Sequence, residues 1–167
     1  MKTKEYWIER LELQAHPEGG FFKETYRSSE SINEKDLPER FDADRNFSTS
    51  IYFLLAENNI SAFHRIKQDE LWHFHYGNSL TIHMISPSGE YSHQQLGLDL
   101  DHAESPQVVV PAEYYFAAEV NDKSSYVLSG CTVSPGFDFA DFEMPDYKEL
   151  IIKFPKHKSI ISKLTNG

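Results

Sequence analysis

Four of the eight histidines, His64, His73, His75 and His83, fall within one 20-residue stretch, and Glu70 lies among them. Imidazole nitrogens and carboxylates hold zinc, iron or manganese when three or four of them converge. The same groups do acid–base chemistry without a metal, because an imidazole titrates near neutral pH. Which of these they can do depends on the face of the chain each one occupies. The surrounding sequence, SAFHRIKQDELWHFHYGNSLTIHMI, reads as a strand, a tight turn at Lys67-Gln68-Asp69, a strand, a turn at Gly77-Asn78 and a third strand. Side chains alternate across a strand, so His73 and His75 share one face while Glu70, Trp72 and Phe74 take the other. All five polar residues reach one pocket only through a bulge or a twist. Hydrogen bonding within the sheet is the plainer expectation for His73, His75 and His83.

The rest of the chain must position these residues. A helix is expected at the start (residues 1–15), where Tyr6, Trp7, Leu11 and Leu13 recur at near-helical spacing. His16-Pro17-Glu18-Gly19-Gly20 stops it. Phe21–Arg27 alternates, with Phe22, Glu24 and Tyr26 on one face. Residues 28–46 are polar and read as a long loop. Strands are then expected at Ser48–Ala56, Ser61–Ile66, Leu71–Tyr76, Leu80–Ile85, Tyr91–Gln95, Gln107–Val110, Tyr114–Glu119 and Tyr126–Val133, separated by Gly, Pro and Asn turns. Many short strands with such punctuation point to one all-β sandwich or barrel over residues 21–133. The segment 134–167 follows, with a helix from Asp146 to about Leu164 that Pro155 interrupts. In GFDFADFEM (136–144), Phe137, Phe139 and Phe142 are expected to pack the barrel end while the acids face water or cap a turn.

Composition narrows the function. The chain of 167 residues is 40% hydrophobic, 25% charged and 14% aromatic, which suits a folded domain and not a disordered one. Its net charge is −10 and its basic residues are scattered, so no stripe exists to meet nucleic-acid phosphates. No apolar run approaches the roughly 20 residues that cross a bilayer, and the N-terminus lacks a signal-peptide core. A cytoplasmic protein without membrane or nucleic-acid partners is expected. The single Cys131 sits among apolar residues and reads as a small buried strand residue.

Five segments, HPEGGFFKETYRS (16–28), SIYFLL (50–55), FHRIKQDELWHFHYG (63–77), QVVVPA (107–112) and GCTVSPGFDFADFEM (130–144), resemble a family of small single-domain cupins of uncharacterised function. The resemblance implies a double-stranded β-helix, or jelly-roll barrel, with a short N-terminal helix, paired into a homodimer. The general metal-binding cupin pattern is kept only in part. Glu70 and Gly77 hold its spacing and His64 stands for its second histidine, but Ala62 replaces the first. Pro111 matches the second motif, where Glu113 replaces a glycine and Phe116 a histidine. Only His64 and Glu70 remain as ligands, so no cofactor is expected. A divalent metal stays possible if His75, His83 or Glu113 assists.

Three functions fit these residues. In the first, a small polar ligand, sugar- or nucleotide-like, is isomerised or epimerised in the barrel without a metal. By resemblance to cupins that do this on keto sugars, His64 is the base, Glu70 orients it, and Tyr26, Tyr52 or Tyr115 is the acid. Glu24, His73, His75, His83 and Gln107 are the ligand-binding candidates. The second is a metal-dependent cupin enzyme with His64 and Glu70 as ligands. The third is a non-catalytic module holding a small ligand among aromatics.

Overall fold

Thr3 caps the first helix by accepting a hydrogen bond from the Tyr6 N–H, the cap that a helix start needs. The computed structural model describes residues 2–166. Met1 and Gly167, the ends of the expected helical and C-terminal segments, lie outside the described residues. Helix α1 (Lys4–Leu11) is shorter than expected, because Glu12 turns left-handed at φ 55°. Residues 14–15 already belong to a sheet.

The strands in chain order are β1 (Gln14–Ala15), β2 (Phe21–Arg27), β3 (Ser31–Ile32), β4 (Arg45–Asn46), β5 (Thr49–Ala56), β6 (Ile60–His64), β7 (Asp69–Gly77) and β8 (Leu80–Ile85). They continue with β9 (Tyr91–Leu96), β10 (Glu104–Ser105), β11 (Gln107–Val110), β12 (Tyr115–Val120) and β13 (Tyr126–Ser134). One sheet has the order β1-β2-β5-β13-β7-β11 and the other β10-β9-β8-β12-β6. Strands distant in sequence lie side by side, β13 between β5 and β7, and β12 between β8 and β6. This wrapping is that of a double-stranded β-helix, as the resemblance implies. The loop expected at 28–46 contains the small β3–β4 ribbon.

The alternating strands produce an interior and two outer faces. Phe53, Trp72, Ile82, Met84, Phe116 and Val127 pack between the sheets. On the outside of the larger sheet, Leu13, Leu54 and Leu128 are covered by Trp7, Ile8 and Leu11. On the outside of the smaller one, Phe63, Ile85 and Ala117 are covered by α2 (Tyr147–Lys153) and α3 (Lys158–Lys163) through Leu150 and Ile161. Pro155 separates the two helices, where it opens a 3-10 turn (Pro155–His157).

The segment 136–144 departs from expectation at Asp141, which is buried and not solvated. Arg45 meets both of its oxygens, at 2.7 and 2.6 Å, and the Gln68 amide donates to it at 2.8 Å. Burial pushes this carboxyl up, but Arg45 and Gln68 outweigh that and hold it below the usual range. The pair ties β4 to the 3-10 turn Phe139–Asp141 and so seats the phenylalanines of this segment over the barrel end. Asp141→Ala leaves a buried guanidinium with only the exposed Asp42 carboxylate beside it. It is expected to cost about 3–5 kcal/mol, read as a lower midpoint in urea denaturation.

Candidate functional site

The barrel end holds a cavity of about 270 Å³, walled by Phe22, Phe53, Trp72, Phe137, Phe139 and Phe142. Its polar lining includes His16 and Glu18 in the loop before β2, Glu24 and Arg27 on β2, His64 on β6, and Glu70 on β7. Asp138 stands near the phenylalanines.

Glu18 is the centre of this group, and its sequence neighbours explain how it gets there. Gly19 and Gly20 take φ +110° and +74°, and a Cβ on Gly19 would lie 2.0 Å from the Ile60 carbonyl oxygen. Only glycine allows the loop to press so closely against β6. The loop then joins β6 as an extra edge, with the Ala62 N–H donating to the Glu18 carbonyl at 2.8 Å. The Glu18 side chain turns inward, accepts from the Ser61 hydroxyl at 2.8 Å, and lies 2.9 Å from His64 Nε2.

Both His64 nitrogens face acceptors, Nε2 the Glu18 carboxylate and Nδ1 the Ala62 carbonyl at 2.7 Å. Both therefore carry hydrogen, and the ring is an imidazolium. Burial alone would lower the His64 pKa, but the charge and hydrogen bond of Glu18, together with Glu70 and the Ala62 carbonyl, raise it. Glu18 shifts the opposite way, since burial pushes it up and His64, His16 and Ser61 pull it below the usual range. His16 is neutral by contrast. Its Nδ1 accepts the Glu18 backbone N–H at 3.2 Å, and burial lowers its pKa.

Glu70 lies in the same cavity, 8% exposed. Burial and the charge of Glu18 push its carboxyl up to about 7, against the opposing pull of His64 and of the Cys131 and Trp72 donors. The Trp72 indole Nε1 approaches without closing a hydrogen bond to any group. Cys131 is the buried strand residue expected, and burial beside Glu70 keeps it a thiol.

The assignments made from sequence for His64, Glu70 and the three tyrosines change. Glu70 was the expected orienting partner of His64, but Glu18 takes that place, and His64 has no lone pair left to act as a base. Tyr26 was grouped with Glu24, yet a bulge between them shifts the register. Arg27 therefore lines the cavity while Tyr26 is 54% exposed. The other two tyrosines lie outside the barrel. Tyr52 packs on His75, and the Tyr115 hydroxyl donates to Glu143 at 3.1 Å, accepts from Lys153 at 3.2 Å, and is pushed up to about 12, chiefly by burial.

Of the ligand-binding candidates only Glu24 reaches the cavity. His73 meets the Thr132 hydroxyl at 3.2 Å on the outer face. His83 lies between the Tyr91 hydroxyl at 2.8 Å and Glu119 at 3.2 Å. Gln107 is exposed on the edge strand β11. These positions follow from strand alternation, which puts residues one step from an inward neighbour outside. Sequence reasoning missed His16, Glu18 and Arg27, although a His and a Glu beside paired glycines was the available signal.

Both His64 nitrogens are taken, and the Phe116 ring lies 4.0 Å from the His64 ring, in the place of a ligating histidine. Among the described residues no group of three or more His, Cys, Asp and Glu is arranged to hold an ion. No helix there is long and apolar enough to cross a membrane.

Comparison with known proteins agrees with this fold. The family model described as Cupin superfamily (DUF985) matches residues 5–145. An uncharacterised protein of Saccharomyces cerevisiae is 31% identical over 144 residues, 80% of this chain and 71% of its own. A crystal structure of a Shewanella oneidensis protein superposes with a TM-score of 0.90 at 43% identity over 99% of both chains. A hypothetical protein from Leishmania major gives 0.89 at 32% identity, over 99% of this chain and 100% of that one. Oxalate decarboxylase from Bacillus subtilis, at 15% identity and a TM-score of 0.55 over 90% of this chain and 36% of that one, shares the fold alone.

The carboxyl shift has a consequence for stability. Glu70 binds its proton more tightly folded, at about 7, than unfolded, at 4.5. Folding therefore loses stability as pH rises from 4.5 through 7, by an amount on the order of 3 kcal/mol. Glu70→Gln lacks this loss. Its melting temperature is expected to match the wild type at pH 4.5 and exceed it by several degrees above pH 7, checked by thermal denaturation across that range.

Proposed function

This chain belongs to the cupin superfamily, in its DUF985 family, and we propose on that footing that it binds a small polar, sugar-like ligand in its barrel and moves a proton on it without a metal, as an isomerase or epimerase. The observation that supports this reading is Glu70, a buried carboxyl lining the cavity beside a preformed ion pair. At about 7, both its protonated and ionised forms are populated at neutral pH, which suits a group that takes and returns a proton.

In this reading Glu70 removes a proton from the carbon next to the ligand carbonyl. The electron pair passes to the carbonyl oxygen, where the Trp72 N–H, which has no acceptor in the protein, donates to the developing oxyanion. The fixed imidazolium charge of His64 favours the same intermediate. Glu70 then returns the proton to the same carbon or its neighbour. Glu18 and His16 act by holding His64.

Solvent exchange tests the chemistry. Reducing and keto sugars are incubated with the protein in D2O, and proton NMR follows deuterium entering beside the carbonyl. Exchange is expected with the wild type, and a fall of about 100-fold or more with Glu70→Gln. Equal exchange by the two proteins would remove Glu70 from the mechanism, and no exchange on any sugar would leave the cavity a binding site only.

The proposal includes a homodimer. The edge strand β11 is paired only through β7, and its Val109 is 44% exposed. Unpaired edges of this kind are commonly covered by a partner. Light scattering is expected to give twice the 19.3 kDa of one chain, and a single-chain mass at micromolar concentration counts against it.

A further inference from the structure

Three carboxylates, Glu18, Glu24 and Asp138, line the cavity against the two positive charges of Arg27 and His64, before Glu70 is counted. Neither cation is free to receive a ligand. Arg27 clamps both Glu24 oxygens at 2.9 and 2.8 Å, and its remaining nitrogen, Nη1, donates to the Asn46 side-chain oxygen and the Phe137 carbonyl. His64 gives its two N–H groups to Glu18 and the Ala62 carbonyl. No lysine lies in the wall. A phosphate or carboxylate entering here would find every cation already paired, while Asp138 and ionised Glu70 would meet it as carboxylates without a cation of their own.

A cation meets the opposite setting. Glu70 is more than nine-tenths buried, and the donors that face it are a thiol and an indole N–H that completes no hydrogen bond. Its lone pairs are available to a ligand. Six aromatic side chains line the cavity with it, and aromatic faces attract ammonium groups. The net charge of −10 adds a long-range pull in the same direction.

We infer that the ligand of this cavity is a small hydroxylated amine of amino-sugar size, and that phosphorylated or carboxylated counterparts are rejected. The inference rests on the cavity being the ligand site, as proposed above, and not on any reaction there.

Three sugars on one ring scaffold test it: glucosamine, glucose and glucose 6-phosphate, titrated calorimetrically at pH 7, where the amine is largely protonated and Glu70 is in part ionised. Glucosamine is expected to bind at least tenfold more tightly than glucose, with no heat from the phosphate. In Glu24→Gln, which removes a carboxylate and frees Arg27, glucosamine affinity is expected to fall about tenfold, the cost of one lost charge contact. Glucose 6-phosphate is expected to gain measurable binding to that variant. Phosphate binding as tight as the amine in the wild type overturns the inference, as does an unchanged ranking in Glu24→Gln or no binding by all three at tens of millimolar. Binding is read here without turnover. An amine preference with no deuterium exchange sinks the isomerase reading alone, and exchange without an amine preference sinks this one alone.

Discussion

A buried imidazolium and a buried carboxylate, His64 and Glu18, meet 2.9 Å apart where the loop before β2 closes on β6. Either charge alone would cost several kcal/mol to take out of water. Together, with Ser61 and the Ala62 carbonyl completing their hydrogen bonds, they make a satisfied network. The network needs a backbone that approaches β6 more closely than any side chain permits, hence the two glycines. Once the pair is in place, a second carboxyl beside it cannot ionise freely. The unusual state of Glu70 is a consequence of Glu18, and so is the choice of chemistry available to the cavity.

A second buried pair, Arg45 with Asp141, does for the cavity mouth what the first does for its floor. Phe137, Phe139 and Phe142 could not hold a wall from a loop without an anchor. The buried carboxylate at the end of their turn supplies it, through a guanidinium fork whose geometry matches both oxygens. Aromatic walls strengthen the charge interaction of the buried His64–Glu18 pair, whereas the Arg27–Glu24 pair lies at the exposed rim. Charge and packing act here as one design.

The fold is shared far more widely than the site. Ala62 and Phe116 stand in place of two of the three histidines of the metal-binding pattern, and the Phe116 ring packs against His64. The barrel keeps its shape because Phe116 is as good a core residue as the strand requires. Fold alone does not assign a reaction, and the donor set inside this barrel departs from the metal-binding pattern.

Strand rhythm, turn residues and the resemblance together make the barrel legible in the sequence, because period-two alternation is a local property. The same alternation correctly separated Glu70 and Trp72 from His73 and His75. It failed at Tyr26, where one bulged residue inverted the faces and brought Arg27 inward. A bulge depends on how β2 registers with β5, which no local pattern encodes. The sequence also showed His64 and Glu70 as the surviving polar residues of a cupin motif, yet it could not show that Glu18 would take the His64 proton contact. Those two residues are 46 positions apart by number, and only the wrapping of the loop against β6 makes them neighbours. Residue types and strand faces were thus determined by the sequence itself. Which charges are buried together, and therefore which of them can move a proton, was decided by tertiary structure, because burial and pairing set a pKa and neither exists until the sheets have closed.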